Sequence, residues 1–173
     1  MSNPDQEEQQ AGIAKRFIMR QKMVSIGDDY WIENEQGEQV YQVDGKVLSL
    51  KKIFYLKDPQ GKKLAKIKKA FVTVKEKMEI EGPDGERLAI VSKDLFTPLK
   101  EHFVVRVKDE ADLEVHGSIF DHEYTIGEGD HKVAQVSKKL IHIRDSYTIQ
   151  IEPGQDDLLI LALVVCIDAM THN

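Results

Sequence analysis

The sequence predicts an all-β protein, a closed barrel of twelve antiparallel strands around one apolar C-terminal helix. Three observations predict it. A strand–turn–strand pattern recurs with a period near 24 residues, the two ends of the pattern are complementary halves, and no polar side chain occurs from Leu158 to Ile167. Paired apolar residues two apart share one face of a strand. A segment apolar on every side belongs in a protein interior or a membrane.

Taken in order, the first strand is expected from about Lys15, through Phe17-Ile18-Met19 to Met23. Five full repeats follow, opening with Tyr30/Ile32, Phe54/Leu56, Met78/Ile80, His102/Val104 and Tyr124/Ile126. Their closing pairs are Tyr41/Val43, Ala65/Ile67, Ala89/Val91, Leu113/Val115 and Ala134/Val136. Between opener and closer stand turn sequences, Asn34-Glu-Gln-Gly37, Asp58-Pro-Gln-Gly61 and Gly82-Pro-Asp-Gly85, then Asp109-Glu110 and Gly129-Asp130. Such turns join hairpins, so each repeat is two antiparallel strands. The sixth repeat has only its opener, Tyr147/Ile149, and the first strand is a closer without an opener. Pairing these two halves makes twelve strands and removes both edges.

A barrel that wide is not filled by its own side chains, since about eight strands is the limit for that. The apolar segment, expected as a helix over about 156–170, supplies the filling. Asp156 and Asp157 suit a helix N-terminus, and Gly154 allows the turn into it. Counted through Met170 the segment is about 13 residues, roughly 20 Å of helix against roughly 30 Å of bilayer hydrocarbon. A core helix is expected, with no transmembrane segment.

The 173 residues suit one domain with a tail. Residues 1–14 are expected to be a disordered acidic tail and 15–173 the barrel domain. Met1 to Gln10 is polar, without the apolar core of a secretory signal. The lone cysteine, Cys166, sits in the apolar segment and reads as a small hydrophobe rather than a reactive thiol.

Several stretches resemble the LURP-one-related family. They are Met19-Arg-Gln-Lys-Met-Val-Ser25-Ile-Gly-Asp-Asp-Tyr30, Val43-Asp-Gly-Lys46, Asp121-His-Glu-Tyr-Thr-Ile126, Val136-Ser-Lys-Lys139, and Asp156-Asp157 before the apolar helix. The resemblance runs in order over about residues 15 to 170. It implies the tubby C-terminal-like fold, a twelve-stranded barrel threaded by a hydrophobic helix, and brings no biochemical activity with it. The wider fold includes phosphoinositide-binding tubby domains and phospholipid scramblases; none of the tubby head-group residues is carried over to a position of this chain.

Catalytic signals are weak. The sequence has no phosphate loop, no nucleophile elbow and no Cys/His set at metal-ligand spacing. Asp121-His122-Glu123 is the best candidate, but neighbours on a strand point to opposite faces. His116 and His122 flank a loop and could approach each other, with nothing to supply a third ligand; the bland reading is a turn followed by a strand, with His122 fixing that turn by a hydrogen bond. His102, His131, His142 and His172 read as surface or half-buried residues. The expectation is a protein that is not an enzyme, with no metal and no cofactor.

Charge is the distinctive surface feature. Net charge is −6, yet residues 46–77 hold eleven lysines against Asp58 and Glu76, a net of +9. With Leu56, Ala65, Ile67 and Met78 inward, alternation turns Lys57, Lys66, Lys68 and Lys77 outward onto neighbouring strands. These four are the candidate site for anionic phospholipid, at roughly 1 kcal/mol per lysine near the surface. The bland alternative is a solvated barrel exterior kept soluble by lysines. The expected function is a non-catalytic binding or scaffold module, cytoplasmic and peripheral at the membrane, with anionic lipid or another protein as partner and no nucleic acid. The alternative is a membrane-inserted, phospholipid scramblase-like protein.

Overall fold

A computed structural model of the chain describes residues 12–20, 30–48, 51–70, 76–94, 102–138 and 146–171. The five full repeats are five hairpins. β2 (Tyr30–Asn34) pairs with β3 (Gln39–Leu48), β4 (Lys51–Lys57) with β5 (Lys63–Lys69), and β6 (Lys77–Glu81) with β7 (Arg87–Asp94). β8 (His102–Val107) pairs with β9 (Leu113–Ser118), and β10 (Glu123–Glu128) with β11 (His131–Ser137). The two half repeats are β1 (Lys15–Arg20) and β12 (Ser146–Ile151). They pair antiparallel from Lys15 opposite Ile151 to Arg20 opposite Ser146, and this seam closes the barrel. The end of the expected first strand, 21–23, and residues 1–11 of the expected tail lie outside the described residues.

The turns repeat as their sequences do. Asn34 and Asp58 each accept the backbone N–H groups two and four residues ahead, at 2.8 to 3.0 Å. The glycine three residues on returns its N–H to the carbonyl of Asn34, Asp58 or, in the third turn, Gly82. Gly61 sits at φ 85°, a left-handed conformation that a Cβ disfavours. Asp109 takes this conformation in the fourth turn without being glycine, at φ 58°. Asp and Asn are the side chains that tolerate it best.

Helix α1 (Asp157–Thr171) fills the bore. Asp156 caps it, its carboxylate accepting the Leu159 N–H at 3.1 Å. Asp157 lies in the first turn, where its charge meets the positive end of the helix dipole, and pairs with Lys15 of β1. Residues Leu159 to Ile167 are buried all round. They meet the inward residues of the strands, among them Ile32, Val43, Leu56, Ile67, Ile80, Val91, Ile126 and Ile149, all fully enclosed. Burying such a side chain is worth about 1.5–3 kcal/mol, so the helix and barrel stabilise each other. The expected architecture, with its helix, is the observed one.

One repeat departs from the expected phase. In β8 the residues pointing inward are Phe103, Val105 and Val107, and His102 and Val104 point outward. The closing pair Leu113/Val115 keeps its expected face, and Phe103 lies opposite Val115, Val105 opposite Leu113. Because strand periodicity is two, a one-residue error in phase exchanges the faces of a whole strand. The pull of a fully buried phenylalanine outweighs the 24-residue spacing that favours His102.

Candidate functional site

The structure brings the four candidate lysines onto one outer wall, spanning β4, β5 and β6. Leu56, Ala65, Ile67 and Met78 are buried, so the alternating Lys57, Lys66, Lys68 and Lys77 face outward and are half-buried. Carboxylates stand on the same wall. Lys57 forms an ion pair with Asp44 of β3. Lys68 donates to Glu81 of β6, whose other oxygen lies 3.4 Å from Lys66 Nζ. Glu79 also acts on Lys68. The hydrogen bond from Lys68 holds the Glu81 carboxyl below its ordinary range, against the opposing effect of partial burial, and raises Lys68 in turn.

Four lysines therefore share a wall with three carboxylates, a net of one positive charge. The +9 of residues 46–77 is counted along the linear chain. Asp44 before that window and Glu79 and Glu81 after it are brought alongside by the sheet and lower the excess by three. The side chains of Lys46, Lys51 and Lys52, together with residue Lys75, lie outside the described residues.

The loop between β9 and β10 holds the other residues singled out from the sequence, and it separates them. Ser118 donates to Asp121 at 2.6 Å, and the His122 N–H returns to the Ile119 carbonyl at 3.0 Å. His122, at φ 55°, turns its ring into the protein, where it is fully buried and stacked on Tyr147 with centroids 4.3 Å apart. Its Nε2 is 3.1 Å from Asp168 Oδ1, an ion-pair distance. The Tyr147 hydroxyl donates to the other Asp168 oxygen and touches Met19 Sδ at 2.7 Å. Burial pushes the hydroxyls of Tyr30, Tyr124 and Tyr147 well above the usual phenol range, and the Asp168 charge adds to the effect in each.

Asp168 is otherwise poorly placed, because a carboxylate in the last turn of a helix opposes the dipole. His122 and Tyr147 offset that cost. The constellation thus ties the end of α1 to β12 and the β9–β10 loop. The approach of His116 and His122 that the loop would allow does not occur. His116 is exposed on the outer wall, where it meets Glu114 and His102, while His122 belongs to the interior. Cys166 is enclosed and burial pushes its thiol up, away from the reactive thiolate.

The comparisons with known proteins bear on this geometry. The profile of the LURP-one-related family matches residues 15–168, from the first strand of the barrel to Asp168 in the last turn of α1. The chain belongs to the LURP-one-related family. A relative in Bacillus subtilis (strain 168), the uncharacterized protein YxjI, is 28% identical over 157 residues. The match covers 91% of this chain and 94% of YxjI. The X-ray structure of an Arabidopsis thaliana protein, AT5G01750, superposes with a TM-score of 0.68 at 19% identity, covering 92% of each chain. At that identity the likeness speaks for the barrel alone. Among the described residues of this LURP-one-related protein, no helix is long and apolar enough to cross a membrane.

Proposed function

We propose that the protein is a non-catalytic binding module that meets its partner on the outer wall of the barrel. The partner is an anionic phospholipid surface, and the β4–β6 face is what it meets. The observation that supports this reading is the occupied bore, with Leu161 to Val164, Cys166 and Ile167 at 0–1% exposure. Barrels of this width elsewhere bind ligands inside; here that space belongs to α1, so the outer surface carries recognition. The scramblase-like alternative would need α1 to leave the barrel and expose this apolar surface, and no observation favours it.

Charge pairing sets the strength of the interaction. The four candidate lysines and their three carboxylates together carry +1, which gives roughly 1 kcal/mol of attraction to an anionic surface, against roughly 4 for four unpaired lysines. Binding should weaken as salt rises, because the screening length falls from about 30 Å at 0.01 M to about 8 Å at 0.15 M. Co-sedimentation with phosphatidylserine vesicles, with phosphatidylcholine vesicles as control, tests this. Binding at low salt is expected, lost when Lys57, Lys66, Lys68 and Lys77 become Glu and strengthened by Glu81→Gln, which releases two lysines. No low-salt binding, or binding indifferent to both changes, refutes the reading.

A further inference from the structure

The outward turn of His102 has a chemical result. Phe103 lies opposite Val115, so one position further along the antiparallel ladder His102 comes opposite His116. Glu114, two residues before His116, is on the same face. We propose that His102, Glu114 and His116 form a binding site for a divalent transition-metal ion of the zinc class, on the outer wall between β8 and β9.

The geometry carries the assignment. Glu114 Oε2 lies 3.0 Å from His116 Nε2 and 3.9 Å from His102 Nε2. The two rings are tilted with centroids 5.7 Å apart. One donor atom from each residue can be chosen so that all three lie within 4.8 Å of one another. Zinc–ligand bonds of 2.0–2.2 Å in a tetrahedral shell place the donors of one ion about 3.3–3.6 Å apart. The two carboxylate–imidazole distances lie on either side of that range, and small side-chain rotations bring both into it. The His116 and Glu114 side chains are 54% and 47% exposed and His102 is 30% exposed, so the rotation falls mainly to His116 and Glu114. The backbones beneath them are held by the barrel ladder, which makes the placement of the three residues on one face a fixed property of the fold.

The donor set selects the ion. Two imidazoles and one carboxylate suit zinc, nickel or copper, whereas calcium and magnesium prefer an all-oxygen shell. Three protein ligands leave at least one coordination position open toward solvent, as in zinc sites that take up a further ligand. A surface site of this kind is independent of the lysine wall and of the polar cluster around Asp168.

Titration calorimetry of the full chain with zinc chloride, and separately magnesium chloride, is the test. One zinc ion per chain and no magnesium binding are expected, with a rise in melting temperature that grows with zinc concentration. Glu114→Gln and His116→Gln should each weaken zinc binding at least ~10-fold. Both are surface changes, so their metal-free melting temperatures should match that of the parent, and His131→Gln on β11 should bind as the parent does. Cobalt in place of zinc should give a visible absorption band that Glu114→Gln alters. Absence of saturable one-to-one binding, or binding unaffected by the Glu114 and His116 changes, overturns the site.

Discussion

Replacing Leu161 with alanine tests the claim that α1 is the core of the barrel. Leu161 is fully enclosed at mid-helix, ringed by inward residues of the strands. The change removes three heavy atoms and leaves a cavity, at a typical cost of about 2–5 kcal/mol. A closed hydrogen-bonded barrel has little freedom to collapse onto the void, so the upper part of that range is expected. For a chain of this length each kcal/mol lowers the melting temperature by about 2–4 °C. A loss of 3–5 kcal/mol therefore means a fall of about 6–20 °C. Urea unfolding followed by far-ultraviolet circular dichroism reads the free energy directly, and the slope with denaturant should stay unchanged because the fold is retained. Leu161→Lys goes further, since an unpaired buried charge costs several kcal/mol against a total stability of about 5–15. That variant should not fold cooperatively. A Leu161→Ala cost within about 0.5 kcal/mol, the level of a surface change, or a soluble and cooperative Leu161→Lys, would refute the placement of the helix.

Two further outcomes follow from the polar contacts. Asp168→Ala leaves the buried Tyr147 hydroxyl without its carboxylate acceptor, which should cost about 1–3 kcal/mol; Asp168→Asn, which keeps an acceptor, should cost less in the same urea titration. Glu81 has a folded-state pKa below its unfolded value. Its contribution to stability is therefore present above the unfolded value, about 4.3, and is lost as pH falls through the lower folded value. Stability measured from pH 7 down to pH 2 should decline less steeply for Glu81→Gln than for the parent, and an unchanged acid limb would show that the Lys68 pair contributes nothing.

Much of the fold was legible because the relevant information is local. Pairs two apart mark strands, glycine and aspartate at fixed offsets mark turns, and the two incomplete repeats imply the β1–β12 seam that the structure shows. The gap between a wide bore and an all-apolar segment places α1 before any coordinate is known. The candidate lysine wall was legible in part. Alternation places Lys57, Lys66, Lys68 and Lys77 outside, but the pairing of Lys57 with Asp44 and of Lys66 and Lys68 with Glu81 depends on partners 13 to 15 residues away in the chain. Charge counted in a window along the chain misses partners held by sheet register.

The chemical sites lay further from view. His102 read as part of an inward pair because its spacing from Met78 matches the repeat, and that phase hides its meeting with His116 and Glu114. A phase taken from Phe103-Val104-Val105-Arg106-Val107, with its three bulky alternating residues, would have exposed the histidine. Asp168 is hidden at the end of an apolar helix, and nothing local in the sequence places the His122 ring in the core. The strand count, the closure of the barrel and the burial of the helix were thus determined by the sequence alone, because periodicity and completeness are visible along one dimension. Which charges cancel, which histidines meet and what holds the end of the helix were decided only by the tertiary structure. Those depend on the register between strands, where a shift of one residue exchanges the inside of the barrel with the outside.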